Sequence, residues 1–112
     1  MNNKNITFSE FSKVEMRIGT ILEAEVFEEA KKPAYKIKVD FGELGIKKTS
    51  SQITKLYSRE DLIGKQIVAV VNFPAKQIAN MMSECLVLGA IDGVEVILLS
   101  PDRKIKNGLQ IG

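Results

Sequence analysis

Histidine and tryptophan are absent from this 112-residue chain, and cysteine occurs once, at Cys85. Without histidine, and with a single thiol, the residues that build most zinc sites and Cys-His nucleophile pairs are missing. One cysteine also gives no intramolecular disulfide, which fits a reducing cytoplasm. Cys85 lies between Glu84 and Leu86 in an apolar run, where it reads as a small buried hydrophobe rather than a reactive thiol. Neither sign of charge is in excess: 16 Lys and Arg stand against 14 Asp and Glu, a formal charge of +2, so any basic patch is local. Long hydrophobic runs are lacking too. Ile67–Val71 and Val96–Leu99 fall far short of a membrane span, and the amino-terminal MNNKNITFSEF has neither the basic nor the apolar region of a secretory signal. The neighbouring carboxylates Glu28-Glu29 and Glu60-Asp61 fall in turn-like segments with no partner base. The expectation is a soluble cytoplasmic protein without membrane insertion, catalytic residues, metal or cofactor.

What is present is apolar material for one core. With 45% hydrophobic residues, the chain suits a single domain over residues 1–112. Its periodicity is mostly two. Tyr35, Ile37, Val39 and Phe41 alternate with Lys36, Lys38 and Asp40, which predicts a strand with one face in the core and one in solvent. Arg17–Phe27 is rich in β-branched residues and predicts a long, bent first strand, with Gly19 marking a bulge or a close backbone approach. Gly45–Thr49 predicts a third strand. Ile67–Phe73 and Cys85–Ala90 are continuously apolar, as strands covered on both faces are, and Val94–Leu99 follows the hairpin signal Asp92-Gly93.

Between Ser50 and Gly64, Ile53, Leu56 and Tyr57 fall at helical spacing, and Ser58 precedes Glu60 and Asp61 as an N-cap would. Two short helical turns are expected there. Three strands, a helical connection and further strands predict an all-β fold, a small Greek-key barrel of the OB type. Asn107-Gly108 is a second turn signal near the end of the chain.

In order and spacing, Met16-Arg17-Ile18-Gly19-Thr20-Ile21, Lys36–Gly42, Ile63-Gly64-Lys65, Asn72-Phe73-Pro74 and Ser83-Glu84 resemble the tRNA-binding domain family. That family includes the carboxy-terminal domain of methionyl-tRNA synthetases and free-standing tRNA-binding proteins. Within it, Gly45–Thr54, the Asn-Phe-Pro turn, Leu86–Gly89 and the ending Asn107–Gly112 are similar to a secretion-chaperone-like branch. The resemblance covers Phe8–Gly112 and implies an OB-fold homodimer whose extra carboxy-terminal strands serve dimerisation. Alternatively, the tail folds back on its own barrel. Partners implied are tRNA and unfolded or export-bound polypeptides.

The positions matching the family's tRNA-binding surface are Lys47, Lys48, Ser50, Asn72, Lys76, Ser83 and Glu84. Lysines there would release counterions from phosphates, and Ser and Asn would hydrogen-bond phosphates or sugar hydroxyls. Glu84 would orient a lysine or accept from a base amine or ribose hydroxyl. Alternatively, Ser83-Glu84 simply begins a strand. Where the family usually shows proline, two basic residues and a glycine before the Ser-Glu pair, this chain has Ala75-Lys76-Gln77 and Asn80-Met81-Met82. Ser50-Ser51-Gln52-Ile53 likewise replaces a typical Ser-Gly-Ile. A polypeptide-binding or dimer surface of Phe8, Phe11, Met81, Met82, Ile97 and Leu99 is the matching expectation, since methionines suit adaptable binding surfaces. The other reading is that Met81 and Met82 cover the barrel end.

Overall fold

A computed structural model describes residues 4–112; Met1, Asn2 and Asn3, part of the amino-terminal stretch read above, lie outside the described residues. The organising element is β1, Met16–Val26, whose first half pairs with β4, Gln66–Val70, and whose second half pairs with β2, Tyr35–Asp40. Serving two neighbours requires a bend. It falls at Leu22, where the register shifts from Ile21↔Val39 to Glu23↔Lys38. The freed backbone groups of Ile21 are satisfied elsewhere: its carbonyl accepts from Gly64 N–H at 2.8 Å and its N–H donates to Lys65 O at 3.0 Å.

Gly19 is therefore not the bulge. Its role is close approach, because a Cβ there would stand 2.5 Å from Val39 Cγ1 and 2.7 Å from Phe41 Cε1.

The alternation read in the sequence is the observed one. Tyr35, Ile37, Val39 and Phe41 are buried, while Lys36, Lys38 and Asp40 face outward. With Ile21, Leu62 and Ile67 they form the main core, each fully buried aliphatic or Phe side chain contributing roughly 1.5–3 kcal/mol. β3, Ile46–Ser51, pairs with β2, and β7, Leu86–Val87, pairs with β4. The resulting order β3-β2-β1-β4-β7 curls until β3 meets the segment before β7, where Glu84 N–H donates to Lys48 O at 2.8 Å. This is the nearly closed five-stranded barrel of an OB fold.

One helix, α2 at Arg59–Leu62, plugs the connection from β3 to β4. Ser58 caps it in a capping box with Asp61, and Leu62 is its buried residue. The first expected helical turn is a simple turn at 54–56, with Ile53 buried but Leu56 exposed.

Two hairpins stand outside the barrel sheet. β5, Lys76–Ile78, and β6, Met81–Ser83, form the first, reversing through Ala79 and Asn80. Neither strand is among those that the sequence predicts. β8, Gly89–Asp92, and β9, Glu95–Leu98, form the second; its two-residue turn is Gly93-Val94, and Gly93 takes the positive φ of 63° that such a turn needs at its first position. The expected strand Cys85–Ala90 is thus split between β7 and β8 at Leu88, whose N–H donates to Val68 O.

The tail docks on its own barrel: Gly108 N–H donates to Ile18 O, Ile18 N–H to Leu109 O, and Ile111 N–H to Met16 O. The backbone of the last residues is therefore occupied within the chain, as in the alternative that the tail folds back on its own barrel.

Candidate binding surfaces

The barrel seam is built by the Ser-Glu pair. Thr49 is buried and its hydroxyl has one hydrogen, which goes to Cys85 O at 2.6 Å. The 2.7 Å contact between Thr49 Oγ1 and Ser83 Oγ then has Ser83 as donor, and Ser83 Oγ in turn accepts from Ser50 N–H at 3.3 Å. A directed chain, Ser50 N–H to Ser83 to Thr49 to Cys85 O, joins β3 to β6 and β7. Glu84 continues it by bracketing Lys48: its N–H donates to Lys48 O, and its Oε1 accepts from Lys48 N–H at 3.0 Å. Glu84 thus holds a lysine, but through the lysine's main chain. Neither Ser83 nor Glu84 simply begins a strand. The Cys85 thiol beside this seam is pushed up to about 11 by burial, against the Thr49 hydrogen bond and the nearby Lys47, which lower it.

Strand geometry separates the two adjacent lysines. Lys48 pairs with the outward Lys38, whereas Lys47 pairs with the core residue Val39, so the two project from opposite faces and form no common patch. The outward set is Lys36, Lys38, Lys48 and Ser50, with Glu23 and Glu25 opposite Lys38 and Lys36. Lys36 and Lys38 escaped the sequence reading as site residues, although their phase in the Tyr35–Phe41 alternation pointed outward. The Lys38–Glu23 ion pair, at 3.4 Å with both side chains more than half exposed, is weak. A depression of about 260 Å³ runs among these groups.

Beyond Ser50 lies a larger groove of about 670 Å³. Phe73, Pro74, Ala75 and the strand β5 make one wall, and Ser50, Ser83, Cys85 and Leu86 the other. Lys76 stands exposed on it, opposite Ser83 in the β5–β6 register. Phe73 is 56% exposed, a large apolar face in an open groove. Asn72, expected to contact ligand, is committed elsewhere. Its Oδ1 accepts from Glu15 N–H at 3.0 Å and its Nδ2 donates to Lys13 O at 2.7 Å, clamping the segment between β1 and the short helix α1, Phe8–Ser12.

The proposed apolar surface is divided. Met81 is buried against Phe27 and Ala34 in a second small core, while Met82, its neighbour on β6, is half exposed. Alternation again decides this, and Met81 is corrected to a core residue. Phe8 on α1 is 81% exposed with its ring 6.3 Å from that of Phe11. Ile97 and Leu99 are exposed on and just beyond β9, and Ile91 and Val94 at the hairpin tip are 80% and 75% exposed.

Comparison with known proteins assigns the family. The profile described as "Putative tRNA binding domain" matches residues 16–110. Among solved structures, chaperone CsaA from Bacillus anthracis is 50% identical with a TM-score of 0.93, over 96% of this chain and 99% of that one. The CsaA chaperone protein from Picrophilus torridus is 53% identical with a TM-score of 0.91, over 96% of this chain and all of the other. Methionine–tRNA ligase of Leptospira biflexa is 40% identical over 103 residues, 92% of this chain, and the chain spans only 15% of that relative's length. The β-barrel, its Ser-Glu seam and these matches agree: the chain is a CsaA-type member of the tRNA-binding domain family.

Proposed function

We propose that this protein is a non-catalytic, export-related chaperone of the CsaA type that binds unfolded or precursor polypeptides in the cytoplasm as a homodimer. The observation that carries the reading is the 670 Å³ groove, with Phe73, Pro74, Ile78 and Leu86 as apolar lining and Lys76 on one wall. Extended polypeptides present apolar side chains on an otherwise polar backbone, and an open apolar groove with hydroxyls from Ser50 and Ser83 matches both parts. High similarity to two proteins described as CsaA chaperones supports it. No helix among the described residues is long and apolar enough to cross a membrane. The exposed Ile97 and Leu99, two residues apart and so on one side of the strand, support pairing with a second copy, because apolar surface left in water invites association. Light scattering coupled to size exclusion would return twice the 12.4 kDa chain mass if so, and the chain mass itself if not. For the groove, Phe73→Ala should abolish suppression of aggregation of an unfolded client; full activity in that variant would place the client elsewhere.

A second reading is tRNA binding. The outward lysines Lys36, Lys38 and Lys48 favour it, since the faces of strands two and three of an OB fold are a common oligonucleotide platform. Titration of labelled tRNA at several salt concentrations tests it: binding that weakens steeply with salt supports the reading, and no binding at low salt removes it.

A further inference from the structure

The same outward face of β2 leads to a second cationic feature that the family surface does not include. Two residues beyond Lys38 along the strand, on the same side, Asp40 enters the wall of an open groove of about 570 Å³. Two strand residues span about 7 Å, so the lysine face and this groove are contiguous. Lys65, Arg103 and Lys104 line it against that one carboxylate, and Asp40 Oδ1 already accepts from Gly42 N–H at 2.8 Å. Among the described residues Arg103 pairs only with its neighbour Asp102, both 79% exposed, a contact weak enough for a bound anion to replace.

The groove is held in shape. Although residues 100–106 form no helix or strand, the Gln66 amide grips them reciprocally: Nε2 donates to Ile105 O at 2.6 Å, and Oε1 accepts from Ile105 N–H at 3.0 Å. Asn107 is oriented as well, because its Oδ1 accepts from both Thr20 Oγ1 and Gln66 Nε2. That leaves the Asn107 Nδ2 hydrogens without a protein acceptor among the described residues. A fixed wall carrying a guanidinium, two ammonium groups and a free amide donor is the chemistry of phosphate recognition.

We infer that this groove is a second phosphate-binding site, in which Lys65, Arg103, Lys104 and Asn107 hold the phosphodiester backbone of an RNA strand that first crosses Lys36 and Lys38. Continuity with the lysine face favours a long polyanion over a free phosphate ion. The inference rests on the tRNA reading above.

Its test is the affinity of the full chain for labelled tRNA measured across a range of KCl, for wild type, the double variant Arg103→Gln with Lys104→Gln, and Lys104→Arg. Loss of two phosphate contacts should flatten the plot of log affinity against log salt by about 2, with Lys104→Arg keeping the wild-type slope. Both substituted side chains are exposed, and an unchanged circular dichroism melt confirms folding. Wild type that binds tRNA while the double variant keeps the same affinity and slope overturns the site alone. Wild type that binds no tRNA overturns the tRNA reading and this inference with it.

Discussion

Replacing Thr49 by Val keeps the shape of a buried side chain and removes only its hydroxyl. Thr49 is 1% exposed, so no water takes the place of the lost group. Cys85 O would lose its 2.6 Å donor and Ser83 its acceptor, and the Ser83 hydroxyl, turned to Cys85 O, would stand 3.5 Å away, a poor replacement. Leaving a buried carbonyl short of a partner costs about 1–3 kcal/mol. For a domain of this size, 2 kcal/mol lowers Tm by roughly 8 °C. Urea unfolding and calorimetry measure it. The double variant with Ser83→Ala should show a coupling of about 0.5–3 kcal/mol, since the two hydroxyls form one chain. Thr49→Ser, which keeps the hydroxyl, should lose about 0.8 kcal/mol for its methyl group. A Thr49→Val protein as stable as wild type would refute the seam as a source of stability.

Gly19→Ala should destabilise by about 1–3 kcal/mol in urea unfolding, because its Cβ would overlap Val39 and Phe41 in a filled core. Lys48→Gln should reduce the salt slope of tRNA binding by about 1 while Lys47→Gln leaves it unchanged, the reverse order contradicting the facing of β3. The raised Cys85 pKa predicts a pH dependence of stability. Above about pH 9 the unfolded thiol releases its proton while the folded thiol keeps it up to about 11, so stability falls with rising pH across that window. Cys85→Ala, compared by urea unfolding at pH 8 and pH 10.5, should remove that part of the decline; an identical decline would show that Cys85 contributes none of it.

Sequence patterning carried the parts of the fold governed by short periods. The alternation of Tyr35–Phe41 and the Ser58 cap are local properties, and both stand in the structure as read. The long bent β1 was legible from composition, but the location of its bend was not, because Gly64 and Lys65, far along the chain, satisfy Ile21 there. The β5–β6 hairpin was missed since Ala79, a non-glycine residue at φ 50°, marks its turn without the usual Asn-Gly signal. That single miss had consequences for the site: without the strand, Met81 and Met82 seemed equivalent, whereas alternation buries one and exposes the other. Asn72, Ser83 and Glu84 drew notice as positions matching the family's tRNA-binding surface. Their partners Glu15, Thr49 and Lys48 lie in distant strands and connections, so a structural duty was invisible until the chain was folded.

On the proposed reading, polypeptide binds in the groove beside Phe73 while RNA is met by the lysine face. Fluorescence anisotropy of a labelled, unfolded precursor peptide, titrated with wild type, Phe73→Ala and Lys38→Gln, tests it most directly. Saturable binding by wild type, at least tenfold weaker for Phe73→Ala and unchanged for Lys38→Gln, is the predicted result. No binding by wild type, or equal affinity in wild type and Phe73→Ala, would contradict it.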